Sequence, residues 1–123
     1  MKKNIPAAQL YRILNPGPLV LVSARHGGRN HICTVAWSAP LDAEKPKALL
    51  VMSAEHATTR AIAATGELVI NVPGPELADE ALGIGSLSGD RVDKFAHFRL
   101  TPVPGKKVKA PAIGECAAWL ECR

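Results

Sequence analysis

The stretch that decides the architecture runs Leu19-Val20-Leu21-Val22-Ser23-Ala24, then His26-Gly27-Gly28-Arg29-Asn30, then Ile32-Cys33-Thr34-Val35-Ala36-Trp37. The two outer runs are short, apolar and rich in branched residues, which is the composition of strands. Between them Gly27-Gly28 can take the positive φ that a tight hairpin turn demands. We expect these runs to be antiparallel neighbours.

Working toward the C-terminus, a loop over Pro40 to Pro46 precedes a third strand, Ala48-Leu49-Leu50-Val51-Met52-Ser53, apolar enough to expect burial on both faces. His56 to Thr65 reads as a short helix with a Thr able to cap it and Gly66 able to end it. Glu67 to Val72 returns as a fourth strand. Pro75 then opens a helix through Leu82, with Pro suited to the first helical position. Gly83 to Asp90 reads as flexible and hydroxyl-rich, leading to a short helix at Arg91 to Ala96 with Asp90 as its cap. Ala117 to Arg123 is a fifth strand that reaches the last residue. Toward the N-terminus, Asn15-Pro16-Gly17-Pro18 ends the first segment. The whole, residues 1–123, is expected to be a single domain, mainly β with short helices, in a mixed and mainly antiparallel barrel. A strand at the chain end leaves an edge to be covered by a partner chain, or marks a truncated protein.

Composition narrows the function. Apolar residues are 47% and charged residues 21% of 123, which suits a globular fold and not a disordered chain. The net charge of +4 invites nucleic acid, but the basic residues are scattered apart from Lys106-Lys107-Val108-Lys109, and few aromatic residues are present to stack on bases. We expect no nucleic-acid partner. No segment approaches the roughly 18 apolar residues of a membrane span, and the N-terminus has no signal-like run. The default expectation is therefore cytoplasmic, with no membrane. Cys33, Cys116 and Cys122 form no CxxC pair and read as buried free thiols. His26, His31, His56 and His97 show no metal-clip spacing, so no metal site is expected.

Gly83, Gly85 and Gly89 do not make GxGxxG, and no P-loop is present. What remains are elements suited to phosphate: Ser53 with Ala57-Thr58-Thr59 at one helix start, and Ser86-Leu87-Ser88-Gly89 before another. Arg60, Arg91 and Lys94 stand close by in sequence. By spacing alone, ordinary helix capping is the simpler reading of each. Asn71, inside an apolar strand, must satisfy its amide on a neighbouring loop or on a ligand, the structural bond being the safer reading. Trp37 can pack on a ligand or serve as a core aromatic, and His56 reads as a surface loop residue.

Taken together, these segments resemble the flavin-reductase-like FMN-binding split barrels, and among them the flavoredoxins. The markers are Pro16 to Val22, Ile32 to Trp37, Ala57 to Thr59, Val69 to Pro73, Gly85 to Phe95, Leu100 to Val103 and Leu120 to Cys122, in that order. The resemblance implies a split β-barrel, incomplete in this chain because the family's further C-terminal strands would follow Arg123. It implies FMN at a homodimer interface, with the ring edge against the backbone of Thr34, Val35, Ala36 and Trp37. The phosphate would lie near Ser53, Ala57, Thr58 and Lys94, with Ser88 in the second phosphate-suited segment. His31 stands where relatives commonly carry Asn and can still donate one hydrogen bond; Asn71 completes the candidate set. The implied activity is NAD(P)H-dependent flavin reduction, with NADH or NADPH as co-substrate, or flavoredoxin-type electron transfer to a redox partner protein. The alternatives are a truncated dimerisation or binding module without catalysis, and a relative of the pyridoxamine phosphate oxidases.

Overall fold

The computed structural model describes residue 6 and residues 17–42 and 44–123. The Asn15-Pro16 break lies outside them. β1 (Val20–His26) and β2 (Arg29–Val35) form the expected hairpin, in register from Val20 opposite Val35 to His26 opposite Arg29. Gly27 and Gly28 turn the chain at φ 57° and 78°, the left-handed pair of a two-residue hairpin. Both strands reach further into the turn than the apolar runs do, because the ladder continues through the polar residues Arg25, His26, Arg29 and Asn30.

β3 (Ser38–Asp42) and β4 (Lys47–Leu50) form a separate two-stranded ribbon, with a register break between Pro40 and Asp42. This corrects two expectations. The segment read as a loop from Pro40 carries strand residues, since Pro is tolerated where no ladder donor is required of it. The 48–53 run is not a strand buried on both faces: Lys47, Ala48 and Leu49 are exposed, and Leu50 is half-buried against the core.

α1 (Ala57–Thr65) ends on Gly66, left-handed at φ 69°, and its N-cap is His56. β5 (Leu68–Val72) follows. A 3-10 turn at Pro75–Leu77 leads into α2 (Ala78–Ser86), which runs past Leu82 and takes in Gly83 and Gly85. Those glycines were expected in a flexible segment. Packing explains at least one: a Cβ at position 83 would stand 2.6 Å from the Phe98 ring. α3 (Lys94–His97) starts later than expected, capped by Asp93, whose Oδ1 accepts from the Ala96 amide at 3.2 Å. Asp90, the expected cap, is taken instead by Arg60. β6 (Pro102–Val103) and β7 (Ala112–Ile113) pair with each other, and β8 (Ala118–Cys122) pairs with β5.

The main sheet has the order β2-β1-β5-β8, antiparallel throughout, and the sheets do not close. The fold is mainly β with short helices. Alternation along β1 sends Leu21 toward Ile32, Ile84 and Ile113 on the α2 side. It sends Val20 and Val22 toward Cys33, Val35 and Ile70 on the side that Ile62 of α1 covers. β1, not the third apolar run, is thus the strand buried on both faces.

Asn71 ties these layers together. Fully buried, it donates from Nδ2 to the Leu21 carbonyl at 3.0 Å and the Ser23 hydroxyl at 2.9 Å, and its Oδ1 accepts from the Ile113 amide at 2.9 Å. Of the two readings of Asn71, the geometry supports the structural one.

Candidate functional site

The turn that introduces α1 is built by Ser53. Its carbonyl accepts from the His56 amide at 3.2 Å and its hydroxyl from the Glu55 amide at 3.3 Å. The first hydrogen bond of the helix runs from the Arg60 amide to the His56 carbonyl, at 3.1 Å. The amides of Ala57, Thr58 and Thr59 therefore precede the intrahelical ladder. His56 offers no side-chain cap, and the first turn holds no acid. The Thr59 hydroxyl is also buried without a partner. The helix start is thus rich in donors that nothing in its own turn satisfies.

Opposite stands Lys94, only 6% exposed. Its Nζ donates to the Ile84 carbonyl at 2.7 Å, one of the acceptors left over at the C-terminal end of α2. No carboxylate pairs with it among the described residues. Burial pushes its pKa below the ordinary 10.5, with the Cys33 thiol pulling weakly the other way. Cys33 is itself pushed up by burial, against a hydrogen bond from Thr58 and the field of Lys94.

Between these groups lies a cavity of about 220 Å³. Thr34, Ala57, Thr58, Ser88 and Lys94, all expected at the site, line it together. Gly89 brings the two walls close: a Cβ there would lie 3.4 Å from the Ala57 Cβ and 3.9 Å from the Lys94 Cε. A more apolar cavity of about 640 Å³ adjoins at Thr34 and Gly85. The donor set, with a buried ammonium and uncapped amides, fits a phosphate group in the smaller cavity.

The other expected residues are placed elsewhere. Ser53 shapes the turn without lining the cavity. Val35 is buried in the core, while Ala36 and Trp37 stand exposed where β2 leads into β3, the Trp37 carbonyl accepting from Val51 at 2.9 Å. His31 is half-buried two residues outward from Cys33 on β2; burial lowers its pKa, as do Arg29, His26 and Arg60, against Asp90. Asn71 sits in the sheet interior. Sequence reasoning missed Cys33, Glu55 and Ile84 as lining residues; His56 is exposed, as expected, and also lines the cavity. The alternation that buries Val35 was the available signal for Cys33.

Of the thiols, Cys33 and Cys116 are buried and Cys122 half-buried, all free. Among the described residues no cluster of His, Cys, Asp or Glu could hold a metal, and no helix is long and apolar enough to cross a membrane.

Comparison with known proteins gives this geometry its relatives. The flavin reductase like domain family matches residues 11–123. The Escherichia coli (strain K12) protein YddH is 34% identical over 115 residues, which are 91% of this chain and 61% of that protein. The flavoredoxin of Desulfovibrio vulgaris (Miyazaki F) superposes with a TM-score of 0.88 at 34% identity, over 98% of this chain and 65% of its own. An FMN-binding domain of a flavin reductases-like enzyme from Shewanella baltica OS155 gives 0.82 at 32% identity, over 97% and 63%. The chain thus spans less than two thirds of the length of these relatives. Its open sheets are those of the flavin reductase-like split barrel.

Proposed function

Because the chain belongs to the flavin reductase like domain family, we propose that it binds FMN, with the phosphate in the cavity at the start of α1, and serves flavin-based redox chemistry. The observation that carries this reading is Lys94, a buried ammonium held by one carbonyl and facing an uncapped helix start. A phosphate there turns a desolvation cost into a charge-assisted pair. The first amides of α1 add neutral donors on the wall that Thr58 shares, and Ser88 stands on the opposite wall. In this reading the backbone from Thr34 to Trp37 meets the ring edge, where N–H donors also favour the anionic reduced form. Bound FMN supplies the hydride and electron chemistry; the protein binds, orients and shields it.

The homodimer belongs to the same proposal. Leu41, Leu49 and Val51 lie bare along the β3–β4 ribbon, and Trp119 and Leu120 along β8, at 45–62% exposure. A second copy would cover them, and in this proposal the flavin lies between the protomers.

The test is reconstitution. The purified chain, mixed with FMN, is expected to quench flavin fluorescence and to stay yellow through gel filtration. A colourless protein, with titrated FMN keeping its free fluorescence, sinks the reading. Anaerobic mixing with NADH and NADPH then separates the two activities. Bleaching by either indicates a flavin reductase, and reduction only by a protein donor indicates a flavoredoxin-type carrier.

A further inference from the structure

The cavity has two walls from distant parts of the chain: residues 55–58 on one side, 87–89 on the other. Arg60, one turn into α1, lies outside the cavity and holds both. Its Nη1 donates to the Glu55 carbonyl, and its Nη2 donates to and ion-pairs with the Asp90 carboxylate. Asp90 in turn is bound into its own wall, its amide donating to the Ser88 hydroxyl at 3.3 Å. The amides of Arg91 and Val92 close the same turn on the Ser88 carbonyl, at 3.2 and 3.1 Å. One guanidinium therefore bridges the turn that presents the helix amides and the turn that presents Ser88 and Gly89. We propose that Arg60 is a positioning residue of the anion cavity: with Asp90 it forms a clasp that fixes the spacing of the two walls and slows escape of whatever phosphate they hold.

The clasp makes a prediction whose sign separates it from simple electrostatics. Asp90 is a negative charge near an anion site, so removing it should tighten anion binding if charge alone matters. If Asp90 acts by holding Arg60 across the walls, removing it should loosen binding. Arg60 and Asp90 also carry opposite charges, so a charge account gives their variants opposite effects, and a clasp gives them the same one. Both side chains are about half exposed, at 50% and 54%, so salt should weaken the clasp in the wild type.

Cys33 supplies a readout that needs no flavin. It lines the cavity at 5% exposure, whereas Cys116, at 8%, lies in a different core cluster and serves as internal reference. In the ligand-free protein at low salt, iodoacetamide labelling of Cys33 relative to Cys116, followed by peptide mass spectrometry, is expected to accelerate in both Arg60→Met and Asp90→Asn. An increase of about three- to fivefold is the scale of an exposed ion pair at the upper end of its usual strength. Arg60→Lys should recover part of the protection, and high salt should bring the wild type toward the variants without changing Asp90→Asn. The flavin arm rests on the FMN reading: Asp90→Asn should weaken FMN by a similar factor and leave riboflavin, which lacks phosphate, much less affected. Unchanged Cys33 labelling in both variants overturns the clasp, as does tighter FMN binding by Asp90→Asn. If the wild type binds no FMN, the functional reading fails while the labelling still decides the clasp.

Discussion

Lys94 concentrates the energetics of the proposed site in one side chain. Hydrogen bonds to charged groups contribute about 1.5–3 kcal/mol, so Lys94→Glu should weaken FMN about tenfold or more. A fluorescence titration measures this, and unchanged affinity removes Lys94 from the site. The pH dependence has a definite sign. Burial lowers the Lys94 pKa from 10.5, and a phosphate favours the charged form, so affinity is full while the ammonium is protonated and is lost as pH rises through the lowered value. The alkaline decline in FMN affinity should therefore begin below the ordinary lysine range and be missing in Lys94→Met. Asn71 is a contrasting case. Asn71→Ala strands the Ile113 amide and should cost about 1–3 kcal/mol in a denaturant titration, with FMN affinity of the folded protein little changed. Sequence could bring Lys94 into the candidate set because it lies within the Gly85 to Phe95 marker of the resemblance. It could not decide between the two uses of the Asn71 amide, since that choice depends on Leu21, Ser23 and Ile113, far off in the chain.

At the level of elements, legibility followed local chemistry. The β1–β2 hairpin was readable because Gly27-Gly28 between apolar runs has few other uses. Gly28→Ala forces a side chain into φ 78° and should destabilise the protein by about 1 kcal/mol by thermal or chemical unfolding. β3 was hidden because Pro40 and Pro46 read as breakers, and only pairing with β4 makes Ser38–Asp42 a strand. The start of α3 was placed at Asp90, where the structure has Asp93 as the cap. Arg60, thirty residues upstream, engages Asp90, a contact that sequence neighbours do not reveal, and Asp93 accepts from the Ala96 amide instead. The donor-rich start of α1 and the Ser88 segment that faces it were both legible as phosphate-suited elements; the extent of α2 was not, because that helix takes in Gly83 and Gly85, which sequence assigned to a flexible segment.

Across the whole molecule, the exposed apolar residues of the ribbon and β8 carry the dimer proposal. Sedimentation equilibrium at micromolar concentration should give twice the 13.0 kDa of one chain. Leu49→Lys should shift that mass toward the monomer and weaken FMN retention with it. A mass of one chain at every concentration tested removes the interface. The order β2-β1-β5-β8 also sets a timetable. β1 and β2 close through two glycines, but Asn71 reaches Leu21 across 50 residues and Ile113 across 42. Non-local pairings of this kind slow folding, because a long loop must be closed before any contact rewards it. The cavity draws Cys33 and Thr34 from the early hairpin, and Lys94 from beyond the late β5 pairing. Ligand capture is thus a clock for the final stage of folding: during refolding, flavin quenching should lag behind the return of β-sheet signal.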